Sequence, residues 1–120
     1  MSITCYKELI VWQKAMMLTR QIYHSTKHFP PDEQYGLTSQ IRRSAVSVPS
    51  NIAEGYGRGS NKDFSRFLKI ARGSLFELQT QNQIALDLNY LTDQDYQIIE
   101  QLSDEVSKML RSLINKLDTA

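Results

Sequence analysis

Residues 37–54 read LTSQIRRSAVSVPSNIAE, and the spacing of their apolar side chains decides the fold. The apolar residues are Leu37, Ile41, Ala45, Val48 and Ile52, which follow one another at steps of four, four, three and four. This spacing is typical of one face of a helix. Small polar residues flank this face, so a neighbouring helix can approach closely. Pro49 falls inside the pattern, and because the apolar face continues in register beyond it we expect one kinked helix.

The helical period continues in both directions along the chain. We predict helices at about residues 7–27, 31–54, 61–89 and 93–118, with no convincing strand alternation. Ser60 and Thr92 each precede an aspartate by three residues, which is typical of a helix cap. Short connections favour antiparallel neighbours, so we predict an all-α, antiparallel up-down-up-down four-helix bundle that forms a single domain over residues 1–120.

The first and third predicted helices carry apolar residues on two sides. The core side of the first helix comprises Leu9, Trp12, Ala15, Met16, Leu18, Ile22 and Tyr23. The opposite sides carry Ile10 and Met17 on the first helix, and Phe76 and Ile84 on the third. Single exposed apolar residues are common, but a second apolar side on two helices favours a homo-oligomer whose interface includes these four residues.

Charge is unevenly distributed, although the formal net charge is only +1. Residues 40–72 carry seven basic and two acidic side chains, whereas residues 73–120 carry three basic and eight acidic ones. This asymmetry indicates either an anionic partner for the middle segment or docking of one segment on another. No apolar run approaches the roughly 20 residues of a membrane span. The first residues do not resemble a secretory signal, so we expect a cytoplasmic protein.

Residues 54–64, EGYGRGSNKDF, resemble a phosphate-binding loop at first sight. Nucleotide-binding loops of that kind follow a strand, whereas an amphipathic helix precedes these glycines. We therefore predict that Gly55 or Gly57 supplies the left-handed residue that ends the second helix. Arg58 and the free amides at the start of the third helix remain candidates for holding a phosphate group of a nucleic acid.

Seven basic residues are the candidate nucleic-acid contacts: Arg42, Arg43, Arg58, Lys62, Arg66, Lys69 and Arg72. Lys62, Arg66 and Lys69 form a narrow stripe opposite the apolar face of the third helix. An ordinary solvated helix face would show the same stripe. The accumulation of arginines in the preceding helix and loop favours phosphate binding, which would depend strongly on salt and read few bases.

Residues suited to catalysis are scarce. His24 and His28 lie one helical turn apart, but no third ligand is apparent, and a catalytic metal usually needs three. Cys5 is the single cysteine, and neither a nucleophile elbow nor a carboxylate dyad occurs. We therefore expect a non-enzymatic protein with no catalytic residues, metal site or cofactor.

The runs LTSQIRRSAVSVPSNIAEG and ARGSLFELQT carry a family resemblance. Over about residues 5–115, the chain resembles the four-helix-bundle proteins encoded in intervening sequences of bacterial 23S ribosomal RNA genes. The resemblance implies assembly as a barrel-like homopentamer. It also implies kinship with the accessory protein of diversity-generating retroelements, which binds nucleic acid and a partner reverse transcriptase through a basic surface.

The resemblance also marks individual positions: Gln40, Arg42, Arg43, Ser47, Pro49, Asn51, Glu54, Gly55, Arg72, Gly73 and Glu77. Glu54 or Glu77 pairing with an arginine at a helix or subunit boundary would give some of these arginines a structural role. Two hypotheses follow. The chain is a homo-oligomeric scaffold that binds RNA or DNA phosphates non-specifically, or a protein-interaction module, for example a reverse-transcriptase partner, with no nucleic-acid role.

Overall fold

The computed structural model describes residues 4–120, and within that range it contains four long helices and no strand. The helices are α1 (Ile10–Thr26), α2 (Leu37–Tyr56), α3 (Asn61–Asp87) and α4 (Asp93–Asp118). The all-helical prediction is therefore confirmed. α3 and α4 begin at the residues predicted for them, whereas α1 and α2 begin later than predicted.

Two short 3-10 turns replace the predicted first turns of α1 and α2. Tyr6–Glu8 forms the first, and the chain is extended at Leu9 (φ −70°, ψ 124°) before α1 begins. Pro31–Glu33 forms the second, and the backbone of Gly36 (φ −113°, ψ −116°) is also non-helical. A Glu33 carboxylate oxygen accepts a hydrogen bond from the Leu37 amide at 3.1 Å, so an acidic group stabilises the positive end of α2.

The glycines of residues 54–64 do not have the roles predicted for them. Gly55 lies inside α2 and is buried, and a Cβ atom there would lie 2.6 Å from the Cβ of Phe67. Gly57 has an ordinary φ of −73°, while Gly59 has the left-handed φ of 86°. The prediction for Gly55 or Gly57 is therefore wrong. Gly55 permits the close approach of α3, and Gly59 turns the chain after α2 has ended.

Side-chain caps fix the first residues of α3 and α4. The Ser60 hydroxyl accepts a hydrogen bond from the Asp63 amide, and the Thr92 hydroxyl accepts one from the Asp95 amide, both at 3.1 Å. These bonds satisfy amides that the helices leave unpaired, which confirms both predicted caps.

α2 continues through Pro49, and a hydroxyl of the neighbouring helix α1 lies within hydrogen-bond distance of the carbonyl that the proline leaves without its helical partner. Proline has no amide hydrogen to donate to the carbonyl of Ala45, four residues earlier. The hydroxyl of Thr19 in α1 lies 3.1 Å from that carbonyl oxygen, and 2.9 Å from the Ala15 carbonyl oxygen in its own helix. One buried hydroxyl thus links α1 to the interrupted turn of α2.

The helices pack around one core, in which α1 contacts α2 and α4, α2 contacts α3, and α3 contacts α4. Its largest fully buried side chains include Leu18, Ile22, Ile41, Ile52, Leu68, Leu75, Leu78, Ile99 and Leu110. Tyr23, predicted in the core, is 41% exposed, and Val11 is buried instead. Asn82 is also fully buried, and its side-chain amide donates to Glu100 of α4 at 3.1 Å.

Candidate nucleic-acid interface

The predicted basic stripe lies exposed on the first half of α3, but carboxylates partly neutralise it. The Arg66 guanidinium lies 3.6 Å from Asp63, and the Lys69 ammonium lies 3.1 Å from Asp118 at the end of α4. Lys62 has no ion pair with any residue between 4 and 120. Exposed pairs of this kind contribute only about 0–1 kcal/mol, so a phosphate can compete for these cations.

Asp118, at the end of α4, lies beside this stripe. It accepts a hydrogen bond from the Ser65 hydroxyl at 2.5 Å and contacts Lys69. Both hydrogen-bonding partners, with the hydroxyl as the larger cause, hold the pKa of Asp118 below its ordinary value of 3.8. The carboxylate is therefore charged at neutral pH and reduces the positive potential around Lys69.

Arg58 joins this surface from the loop after α2. Its guanidinium pairs with Glu54 at 2.8 Å, so the predicted arginine partner of Glu54 is a near neighbour in the same chain. Arg58 and Arg66 lie over the Phe67 ring, at 4.9 and 4.6 Å from its centroid. This stacking holds two guanidinium groups at one place on the surface.

Arg42 has a structural role in part. Its side chain is half-buried, its Nε donates to the Thr26 hydroxyl at 2.8 Å, and its guanidinium lies 4.8 Å from the centroid of the Tyr23 ring. The Thr26 hydroxyl in turn donates to the Ile22 carbonyl at 2.7 Å. Arg42 thus links the last turn of α1 to α2 through neutral partners, and Tyr23 packs against it at the surface rather than in the core.

Arg43 and Arg72 complete the predicted set. Arg43 is exposed and Arg72 is half-buried. In the part of the chain that the structure describes, neither forms an ion pair, and neither Glu54 nor Glu77 pairs with them. The described contacts therefore assign no structural role to these two arginines, in contrast to Arg42.

Two adjoining grooves at α2 share Tyr35, Ser39 and Arg43, and the sequence did not predict them. One, of about 540 Å³, runs between α2 and α3 and is also lined by Gln40, Ser44, Ser47, Ser74, Glu77 and Gln81. The other, of about 420 Å³, is also lined by Tyr23, Gln34, Thr38 and Arg42. The sequence does show small polar residues beside the apolar face of α2, but that pattern predicts close helix packing and not a groove.

The four predicted interface residues all lie at the surface. Ile10 is 58% exposed, Met17 44%, Phe76 51% and Ile84 42%. Gly73 is exposed on α3 near Phe76, and a Cβ atom there would meet nothing within 4 Å. The fold of one chain therefore does not explain a glycine in the middle of α3.

Within residues 4–120, no three His, Cys, Asp or Glu side chains come together as metal ligands would. Over the same residues, none of the helices combines the length and apolar character needed to cross a membrane.

Comparison with known proteins places the chain in a family. It is similar to a crystal structure of a protein of unknown function from the S23 ribosomal protein family of Bacteroides thetaiotaomicron, with 27% identity and a TM-score of 0.81. The match covers 88% of this chain and 98% of the other. No curated protein matches significantly. The family model described as 23S rRNA-intervening sequence protein matches residues 7–112. The chain therefore belongs to the 23S rRNA-intervening sequence protein family.

Proposed function

We propose that this chain is a non-enzymatic, homo-oligomeric scaffold of the cytoplasm that binds RNA or DNA phosphates non-specifically through its basic surface. The candidate contacts form two patches: Arg58, Lys62, Arg66 and Lys69 lie together around the start of α3, whereas Arg42 and Arg43 lie on α2 beside the grooves; Arg72 lies on α3 between them. Binding would come from neutralised phosphates, so affinity would fall steeply as the salt concentration rises.

The observation that carries this proposal is the shortage of carboxylate partners on the basic surface. Within residues 4–120, Arg43, Lys62 and Arg72 pair with no carboxylate, and the pairs of Arg58 and Lys69 are about half exposed. Arg43 and Lys62 are exposed on helices without a carboxylate partner, and cations placed in this way are suited to a regularly spaced polyanion.

The proposal includes an up-down-up-down arrangement of the four helices, and contacts between neighbouring helices support it. In each of three pairs of neighbouring helices, two contacts show the relative direction of the chains. The contact with the higher residue number in the first helix has the lower residue number in the second helix. The pairs are Thr19 with Ala45 and Thr26 with Arg42 between α1 and α2; Ser47 with Ser74 and Gly55 with Phe67 between α2 and α3; and Ser65 with Asp118 and Asn82 with Glu100 between α3 and α4. Antiparallel neighbours produce this pattern, and they leave one face of each helix for other copies.

Homo-oligomer formation is supported by the exposed apolar residues and by Gly73. A glycine in a helix interior is about 0.5–1 kcal/mol less favourable than alanine, and nothing within the chain requires one at this position. A second copy that approaches α3 closely at Gly73, from the side of Phe76 rather than that of Glu77, would require it. The family resemblance implies five copies, and native mass spectrometry at micromolar concentration would show a fivefold mass. A monomer would contradict the proposal.

Charge reversal on α3 tests the nucleic-acid part of the proposal. The double variant Lys62→Glu with Arg66→Glu should weaken binding to a labelled structured RNA at least tenfold at about 50 mM salt, because it replaces two attractive charges with repulsive ones. The matched control is Lys108→Glu with Arg111→Glu, which makes the same charge change at exposed sites on α4. Equal effects of the two variants, or no binding by the wild type, would refute the proposal.

A protein-interaction module without a nucleic-acid role is the second candidate function. The exposed apolar residues of α1 and α3 favour it, since they would suit a protein partner such as a reverse transcriptase as well as another copy. In that case, the affinity for the protein partner would be lost in Phe76→Ser and kept in the Lys62→Glu and Arg66→Glu variant. If the chain is a nucleic-acid scaffold, RNA binding should instead be kept in Phe76→Ser and lost in the Lys62→Glu and Arg66→Glu variant.

A further inference from the structure

Tyr35 is an unusual surface residue because it is a large aromatic side chain that is 91% exposed. It precedes α2 and lines both grooves described above, together with Arg43. A ring so open to solvent contributes little to the core. Aromatic rings at the surface of nucleic-acid-binding proteins stack on unpaired bases, and this stacking tolerates any base.

The groove between α2 and α3 offers both donors and acceptors to a small polar ligand. Its volume of about 540 Å³ lies in the range typical of small-molecule sites. Its lining includes the Arg43 guanidinium, the Glu77 carboxylate and the Gln81 amide. The Arg43 guanidinium can donate hydrogen bonds to a ligand in this groove, and the Glu77 carboxylate can accept them.

The adjoining groove has a different charge. Its lining includes Arg42 and Arg43 with the hydroxyls of Thr38 and Ser39, and no carboxylate belongs to it. Phosphate groups are favoured where guanidinium groups meet hydroxyl donors. The Glu77 carboxylate repels phosphate in the first groove, so a phosphorylated ligand would place its phosphate in the second.

We propose that the two grooves together hold one unstacked guanine nucleotide of a single-stranded nucleic acid. The base stacks on Tyr35 in the groove between α2 and α3, and its phosphate contacts Arg42 and the Thr38 and Ser39 hydroxyls in the adjoining groove, which leaves the Arg43 guanidinium for the base. Guanine fits this groove best because its N1 and N2 donate to carboxylate oxygens while its O6 and N7 accept from a guanidinium group. Glu77 and Arg43 supply these two partners. The inference rests on the proposed function and adds a preference for single strands containing guanine.

Short labelled oligoribonucleotides test the site. A pentamer with one central guanosine should bind more tightly than the same strand with an abasic centre, and Tyr35→Ala should abolish that difference. Base stacking on an aromatic ring implies a loss of about 5- to 150-fold. Tyr35→Phe keeps the ring and should bind like the wild type. Glu77→Gln should reduce the preference for guanosine over uridine.

Two outcomes separate this inference from the proposed function. If Tyr35→Ala leaves the affinity for the guanosine strand unchanged, while Lys62→Glu with Arg66→Glu weakens it, the nucleotide site is refuted and the phosphate-binding surface stands. Guanosine monophosphate tests the grooves without a strand. Chemical-shift changes at Tyr35 on adding it, with smaller changes on adding uridine monophosphate, support the site. Equal changes or none at millimolar nucleotide refute it, whatever longer RNA does.

Discussion

Replacing Gly73 with alanine tests whether the fold of one chain has any need of a glycine on the exposed face of α3. In the isolated chain, the new methyl group would meet nothing within 4 Å. The change should therefore stabilise the isolated chain by the helix-propensity difference, about 0.5–1 kcal/mol. For a domain of this size, that gain raises the melting temperature by about 2–6 °C.

Gly55→Ala is the matched control, because it makes the same chemical change in α2. Its methyl group would lie 2.6 Å from Phe67 Cβ and 3.3 Å from the Phe64 carbonyl oxygen. Crowding of this kind costs about 1–3 kcal/mol, more than the propensity gain. Thermal melting should therefore show opposite shifts for the two variants at a dilution where the wild type is monomeric.

Gly73→Leu extends the test to assembly. Its side chain also has open space in the isolated chain, so the fold should tolerate it. If another copy packs its helix at this position, the added bulk prevents the close approach, and native mass spectrometry should show smaller species. A variant that keeps the wild-type mass would refute the assignment of this face to the interface. A lower melting temperature for Gly73→Ala at high dilution would contradict the conclusion that one chain leaves open space at this position.

Two further predictions concern the stability of the chain. Thr19→Val removes the hydroxyl that contacts the Ala45 carbonyl. Urea denaturation should show that the free energy of unfolding falls by about 1–3 kcal/mol. The control Thr80→Val removes an exposed hydrogen bond within α3 and should change the free energy of unfolding little. The pKa of Asp118 lies below 3.8 in the folded chain, so its contribution is complete above about pH 3.8 and is lost as pH falls through the folded value. The wild type should therefore be more stable than Asp118→Asn at pH 6, and a difference that persisted unchanged at pH 2 would contradict this assignment.

The sequence predicted those features of the fold that depend on residues near one another in the chain. The Ser60 and Thr92 caps are of this kind, because each bond spans three residues. The role of Gly55 could not be predicted, since it depends on how closely Phe67 of another helix approaches. The extended backbone at Leu9 also interrupts a helical pattern that continues on both sides of it.

In the candidate site too, the sequence predicted what depends on residues near one another in the chain and did not predict contacts between helices. The positions of the cations on the faces of α3 followed from helical period. Their partners did not, because Arg42 bonds to Thr26, sixteen residues earlier, and Lys69 pairs with Asp118 of another helix. The grooves around Tyr35 depend on residues from several elements that only the packed bundle brings together.

The salt dependence of RNA binding tests the central claim most directly. If the basic surface binds phosphates, the logarithm of the association constant should fall linearly with the logarithm of the salt concentration. Contacts from three to seven of its cations predict a slope of about −2 to −5 for a single strand, at about 0.7 per phosphate. A slope near zero, or no binding at about 50 mM salt, would contradict the claim that this bundle is a nucleic-acid scaffold.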